Sequence, residues 1–260
     1  MEGSLVIRRH SHPVSLKIRD LIEQHARETW LAERYDHVFQ ICDELIKNAL
    51  KSNYQFLMLW LATRQRLMEA TPDLGIQEAN EWLSEVFFCG ENILIEKQLE
   101  KMPDPKQMQL TIRRLLDLEN ELTKFKDRAG PSAVTRRELR EKFDPLFRIK
   151  RLSRQLKINV HFRIERTARQ LVITVQNDAP ILERDVNRIK YVRDKFKAYA
   201  DRGAPQAFFI ENLDTSGGGH GLGYALMDSI LMDLKLSPEK CLFLVPADRT
   251  LVLLALPLDR

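Results

Sequence analysis

The chain has 260 residues, 44% of them hydrophobic and 30% charged, enough apolar material for one large core or two smaller ones. Its 41 Lys and Arg against 37 Asp and Glu leave a formal charge of +4, and basic clusters such as TIRRLL, TRRELREK and RIKRLSRQLK are interleaved with acids or apolar residues at helical spacing. That is the pattern of solvated helix faces and argues against nucleic acid as a partner. No stretch approaches the roughly 20 apolar residues that span a bilayer, and no signal-peptide core opens the chain, so a cytoplasmic protein without membrane insertion is expected.

From Val14 to about Lys150 apolar residues recur at three- and four-residue spacing, broken by TPDLG (71 to 75), MPDPK (102 to 106) and RAGPSA (128 to 133). The spacing predicts helices near 14–33, 35–70, 76–101, 105–127 and 135–156. Within the second, ICDELIKNALKSN places Glu44, Asn48 and Lys51 at i, i+4 and i+7, so all three project from one face, while Ile41, Cys42, Leu45, Ile46 and Ala49 occupy the other. On spacing alone this is an amphipathic helix whose polar face has no assigned task. The aromatics of FLMLWL and EWLSEVFF read as helical core. Cys42, Cys89 and Cys241 lie in apolar surroundings without CxxC spacing and read as buried thiols in a reducing compartment. The HxH of His10 and His12 lacks a second ligand cluster and does not read as a metal site.

The period then changes. KINVHFRIE and QLVITVQN alternate and are rich in β-branched residues, predicting a hairpin over 157–165 and 170–176. A helix follows over 183 to about 201, then a glycine-crowded loop feeding another helix, and CLFLVPADRTLVLLALPL closes as a second hairpin. Helices, hairpin, helix, glycine loop, helix and hairpin predict an α+β fold, a sheet covered by helices on one face. In TSGGGHGLGYALMDSIL (215 to 231), Gly217, Gly218, Gly219, Gly221 and Gly223 use half of the ten glycines within seven positions. Such a turn is either a flexible loop with a helix cap or a place where backbone N–H groups meet an anion at a helix N-terminus. It is neither a Walker A loop nor a Rossmann fingerprint.

DELIKNALKS, LVITVQNDAPI and GGGHGLGYAL, in that order and followed by a hairpin ending LLALPL, resemble the N, G1 and G2 boxes of the GHKL ATP-binding superfamily, and the histidine-kinase branch most. The resemblance covers 35 to 53 and 157 to 260 and implies a two-layer α/β sandwich of the Bergerat type. On that reading 1–53 and 157–260 form the ATP-binding domain and 54–156 is a large helical insertion. It implies ATP and Mg²⁺ as cofactors, with Asn48 binding the metal, Lys51 approaching the phosphates and Glu44 orienting water or acting as general base. Gly217, Gly218, Gly219, His220, Gly221, Leu222 and Gly223 would line the phosphates. The G1 pattern DxGxG is altered: its positions hold Asn177, Ala179 and Ile181, so the residue facing the base is an amide. Either the base specificity is changed or the site is kept for structure. His25 and His37 do not fit a phosphoacceptor hairpin. The expected function is cytoplasmic signalling by a protein resembling soluble anti-sigma kinases, which phosphorylates a partner protein or binds it in a nucleotide-dependent way. The alternative is a non-catalytic, pseudokinase-like interaction module. A homodimer is compatible with either. Residues 183 to 216 are expected to form a mobile lid with few apolar anchors.

Overall fold

The computed structural model describes residues 2–88, 105–128, 136–212, 222–246 and 249–259. The fold is α+β. By internal contacts the chain divides into two compact units, residues 1–50 with 160–260, and residues 51–159.

The first unit is built on a five-stranded antiparallel sheet of order β1-β2-β3-β5-β4, with β1 Glu2–Ile7, β2 Val160–Arg166, β3 Gln170–Asn177, β4 Leu242–Pro246 and β5 Thr250–Pro257. Alternation decides which face is covered. Val160, Phe162 and Ile164 of β2 are buried while Arg163 and Glu165 on the opposite side are exposed, and Leu171, Ile173 and Val175 share the buried side with Val252, Leu254 and Leu256. Onto that inner face pack α1 His12–Ala26, α2 Tyr35–Ala70 and α8 Gly223–Asp233, through Ile18 and Ile22, Ile41, Leu45 and Ile46, and Met227 and Leu231. Gly3 lets α1 come close: a Cβ there would sit 2.8 Å from Leu21 Cδ2 and 3.3 Å from Ile164 Cγ2.

Strand β1 is a departure from the sequence reading, which placed no strand before residue 14. Glu2, Gly3 and Ser4 have weak intrinsic strand preference, and the segment pairs because β2 offers an edge from Val160 to Glu165. The single helix expected over 14–33 is also split. Glu28 adopts a left-handed φ of 61°, ending α1 at Ala26, and a 3-10 turn, Trp30–Arg34, follows, with the Thr29 side chain accepting from Leu31 N–H at 3.2 Å. A short helix not foreseen, α7 Pro205–Glu211, follows α6 Glu183–Asp201. α6 is better anchored than its charged composition suggests. Phe196 is buried against Phe208 of α7 and Ala225 of α8, and Arg193 Nε and Nη2 donate to both oxygens of Asp228 at 2.8 and 2.9 Å. Arg193 also donates to the Leu242 carbonyl at 3.1 Å and the Pro238 carbonyl at 3.3 Å, tying α6 to β4 and to the single turn α9 Pro238–Cys241. With Leu242 O occupied and Pro246 lacking an N–H, the β4 edge offers little to another strand.

The second unit holds the rest of α2, then α3 Ile76–Phe88, α4 Pro105–Arg128 and α5 Arg136–Gln155. Phe56 and Trp60 are buried and meet Phe87 at ring separations of 5.4 and 5.3 Å. Glu119, also buried, accepts from Tyr54 Oη at 3.0 Å and pairs with Lys150. No described helix is long and apolar enough to cross a membrane. Cys42 and Cys241 are buried free thiols, Cys42 with its acidity strongly suppressed by burial, while Cys89 lies outside the described residues.

Candidate functional site

Three of the residues singled out by sequence meet in the first unit. On α2, Glu44 and Asn48 are one turn apart and half-buried, and Gly223, the first residue of α8, stands against both. A Cβ built on Gly223 would fall inside contact distance of Glu44 Oε1 and 2.8 Å from Asn48 Nδ2. The φ of Gly223 lies outside the left-handed region, so what the glycine supplies here is room and not backbone freedom. Neither the Glu44 carboxylate nor the Asn48 carboxamide hydrogen-bonds to another described residue. Two half-buried polar side chains thus face the N-terminus of an 11-residue helix without being committed to the fold. That helix end carries partial positive charge and unsatisfied N–H groups.

Leu222, half-buried, is the N-cap residue of α8 and packs on the cluster of Phe196, Phe208 and Ala225. Lys51 is exposed and belongs to the second unit. Gly217, Gly218, Gly219, His220 and Gly221 lie outside the described residues. Among the described residues no cluster of three His, Cys, Asp or Glu side chains could hold a metal ion by itself. An amide oxygen such as that of Asn48 suits Mg²⁺ only when phosphate oxygens and water complete the octahedral shell.

Asn177 ends β3 and is 2% exposed. The register places it in a row across the inner face, Ile7, Val160, Asn177, Thr250 and Pro246. The next two rows inward, Leu5–Phe162–Val175–Val252–Leu244 and Gly3–Ile164–Ile173–Leu254–Leu242, contain no polar side chain. Asn177 and Thr250 are therefore a polar pair at one rim of this face, and Arg166, in register with Leu171, is the polar residue at the other. Asn177 Oδ1 accepts from Ala179 N–H at 3.4 Å, Thr250 Oγ1 donates to the Ala179 carbonyl at 2.9 Å, and Asn177 Nδ2 is buried without a partner among the described residues. A buried amide donor left unpaired is uncommon and asks for an explanation.

The same end of the sheet leads to α2. Three residues beyond Ile7, His10 meets Asp43 at 2.6 Å, and Lys47 meets the other Asp43 oxygen at 2.6 Å. Burial pushes the Asp43 carboxyl up, but the hydrogen bonds with His10 and Lys47 outweigh it and hold the group below the ordinary carboxylate range. Asp43 is thereby fixed as an anion beside Glu44. Thr250, Asp43 and His10 were not selected by motif. Thr250 could have been found by parity, since it shares the inner side of β5 with Val252, Leu254 and Leu256 and is polar where they are not. Comparison with protein-family models, curated proteins and solved structures gives no match to this chain.

Proposed function

We propose that the sheet-bearing unit is a GHKL-type ATP-binding domain of the Bergerat kind, a two-layer sandwich that binds a purine nucleoside triphosphate with Mg²⁺. The observation that carries this reading is the cradle at Gly223, where a glycine leaves room over Glu44 and Asn48 and both side chains remain uncommitted. In a fold that needed them only as surface, nothing would require the bare backbone of a helix N-terminus to press on them.

When bound, Mg²⁺ neutralises phosphate charge and orients the phosphate oxygens. Asn48 would supply an amide oxygen to it. Glu44 would hold a proton acceptor beside the phosphates, positioned to orient water or take a proton from an attacking hydroxyl. The N-terminal N–H groups of α8 would receive phosphate oxygens; roles for Lys51 and the loop 217–221 at the phosphates are what the resemblance to the GHKL boxes implies. Asn177 and Thr250 would form the base end. The protein would then act in cytoplasmic signalling, transferring phosphate to a partner protein or binding it according to nucleotide state, with residues 51–159 as the docking unit.

Thermal melting of the full chain with millimolar ATP, ADP, GTP or ITP, each with and without Mg²⁺, tests the reading. Ligand at about 100 times its dissociation constant should add roughly 2.7 kcal/mol of stability. Asn48→Ala should remove the Mg²⁺-dependent part. Melting curves unmoved by all four nucleotides would refute the site. Nucleotide binding without transfer to any captured partner would favour the non-catalytic module.

A further inference from the structure

We infer that the solvent-facing stripe of α6 is a self-association surface, through which two copies of this chain pack antiparallel about a two-fold axis. The inference stands apart from the nucleotide reading and needs no ligand. Its ground is a set of charges that the fold leaves unspent. Lys190, Tyr191, Asp194, Lys197, Ala198 and Asp201 are all exposed and recur at three- and four-residue spacing, so they form one stripe along the 19-residue helix. Lys190 and Asp194, and again Lys197 and Asp201, stand at i and i+4, where a helix ordinarily closes its own ion pairs. α6 closes neither. Lys197 turns instead to Glu239 at 2.6 Å, and Lys190, Asp194 and Asp201 make no hydrogen bond or ion pair with another described residue. The order of the residues contributes, because a base ahead of an acid at this spacing is the weaker orientation. Tyr191 stands 66% exposed among them.

The alternation Lys, Asp, Lys, Asp is complementary to itself when reversed, which is what a two-fold interface requires of a surface. With two α6 helices antiparallel, the register that sets Lys190 of one copy against Asp201 of the other also sets Asp194 against Lys197, and each contact occurs twice. Tyr191 then comes against Ala200 with Ala198 beside it, small side chains that leave room for its ring. Sliding by one helical turn opposes Lys190 to Lys197 in one direction and Asp194 to Asp201 in the other, so repulsion excludes the neighbouring registers. The stripe also borders a groove of about 520 Å³ whose other wall includes Met232 and Phe243, both more than a third exposed, and a second helix on the stripe would cover it. A helix of this length is roughly 28 Å long and about 10 Å across, a footprint well below the roughly 800 Å² per partner of a standard interface. The association therefore belongs to the weak, concentration-dependent class.

The test is sedimentation velocity of the full chain over a concentration series at low salt, where exposed pairs are least screened. Wild type should show a reversible monomer–dimer equilibrium. Lys190→Asp and Asp201→Lys each turn two attractions into repulsions, because the axis repeats the contact, so either alone should weaken the dimer at least about tenfold. Mixed in equal amounts, the two variants should associate with each other about as well as wild type does with itself, since each supplies the charges that the other lacks. The double variant Lys190→Asp with Asp201→Lys should recover in the same way. A wild-type chain that stays monomeric at millimolar concentration would overturn the inference. Single variants that dimerise as tightly as wild type would also overturn it and place the dimer on another surface. Loss in the single variants without recovery in the mixture or the double variant would overturn the antiparallel pairing. Circular dichroism checks folding, and if a single variant does not fold, wild type and the double variant decide.

Discussion

Gly223→Ala separates the needs of the fold from those of the site. Gly223 sits in the first position of α8 without a left-handed φ, so alanine is conformationally acceptable there. The atoms nearest the added methyl belong to two side chains, the Glu44 carboxylate and Asn48 Nδ2, the latter at 2.8 Å. Moving each off its preferred rotamer costs about 0.5–1.5 kcal/mol. Together the two displacements should cost about 1–3 kcal/mol of stability. Binding should weaken in the folded variant, because both side chains are displaced from where the Mg²⁺-nucleotide is proposed to lie. Losing a hydrogen bond to a charged group removes about 1.5–3 kcal/mol, a weakening of roughly 10- to 100-fold. At a concentration that stabilises wild type by about 2.7 kcal/mol, the variant should gain only about 1.4 kcal/mol if tenfold weaker and about 0.4 kcal/mol if a hundredfold weaker. The assay is paired melting of both proteins, with whichever of ATP, ITP and GTP binds wild type best. A folded variant whose dissociation constant stays within about twofold of wild type, well short of the tenfold step worth 1.4 kcal/mol, would refute the cradle as a ligand site.

Arg193→Met should destabilise by about 3–5 kcal/mol, because it strands the buried Asp228 carboxylate and frees the Leu242 and Pro238 carbonyls; a urea-derived loss below about 1 kcal/mol, the level of an exposed pair, would contradict that role. Glu239 is held down to about 2, first by Lys197, then by its own backbone N–H and the Ser237 hydroxyl. As a depressed acid it contributes stability that is complete above its ordinary value of 4.5 and is lost as pH falls toward 2, so Glu239→Gln should lower the urea midpoint slightly at pH 7 and not at all near pH 2. An equal difference at both pH values would rule the pair out as the cause. Hydrogen exchange should show α6 and α8 gaining protection together when nucleotide binds, and gain confined to α8 would mean that Arg193 does not couple them.

Much of this architecture follows from periodicity. The 35–70 helix, both hairpins and the helix beginning at Glu183 are long or strongly alternating, and the residues at apolar positions on α2 are the ones that fill the core. Strand β1 was hidden because Glu2, Gly3 and Ser4 carry little strand preference, and its existence depends on a partner some 160 positions away. The break after α1 turns on Glu28 adopting a left-handed φ, which no spacing of apolar residues reveals. At the site, Glu44 and Asn48 were legible as a polar face. What they face was not, since the contact with Gly223 is made only once α2 and α8 lie on the same side of the sheet. Arg193 shows the complementary failure: in RIKYVRDKFKAYADRGAP it is one base among many, and only the tertiary fold gives it four acceptors on three elements.

That hub changes how a signal could leave the proposed nucleotide site. A ligand shifts an element only by binding its two states differently. α8 begins at Gly223, beside Glu44 and Asn48, and one and a half turns later, roughly 8 Å along its axis, it presents Asp228 to Arg193. Arg193 joins α6 to α8, α9 and β4, and Phe196 packs α6 against Ala225 of α8 and Phe208 of α7. A lid hinged at α6 would have to break a largely buried bidentate ion pair and two carbonyl bonds, several kcal/mol together, which is more than the 1–3 kcal/mol that typical coupling between sites supplies. Movement of α6 with α8 as one block leaves those bonds intact. The energetics therefore favour a switch in which occupancy at the N-terminus of α8 displaces both helices together, with Arg193 keeping them in register.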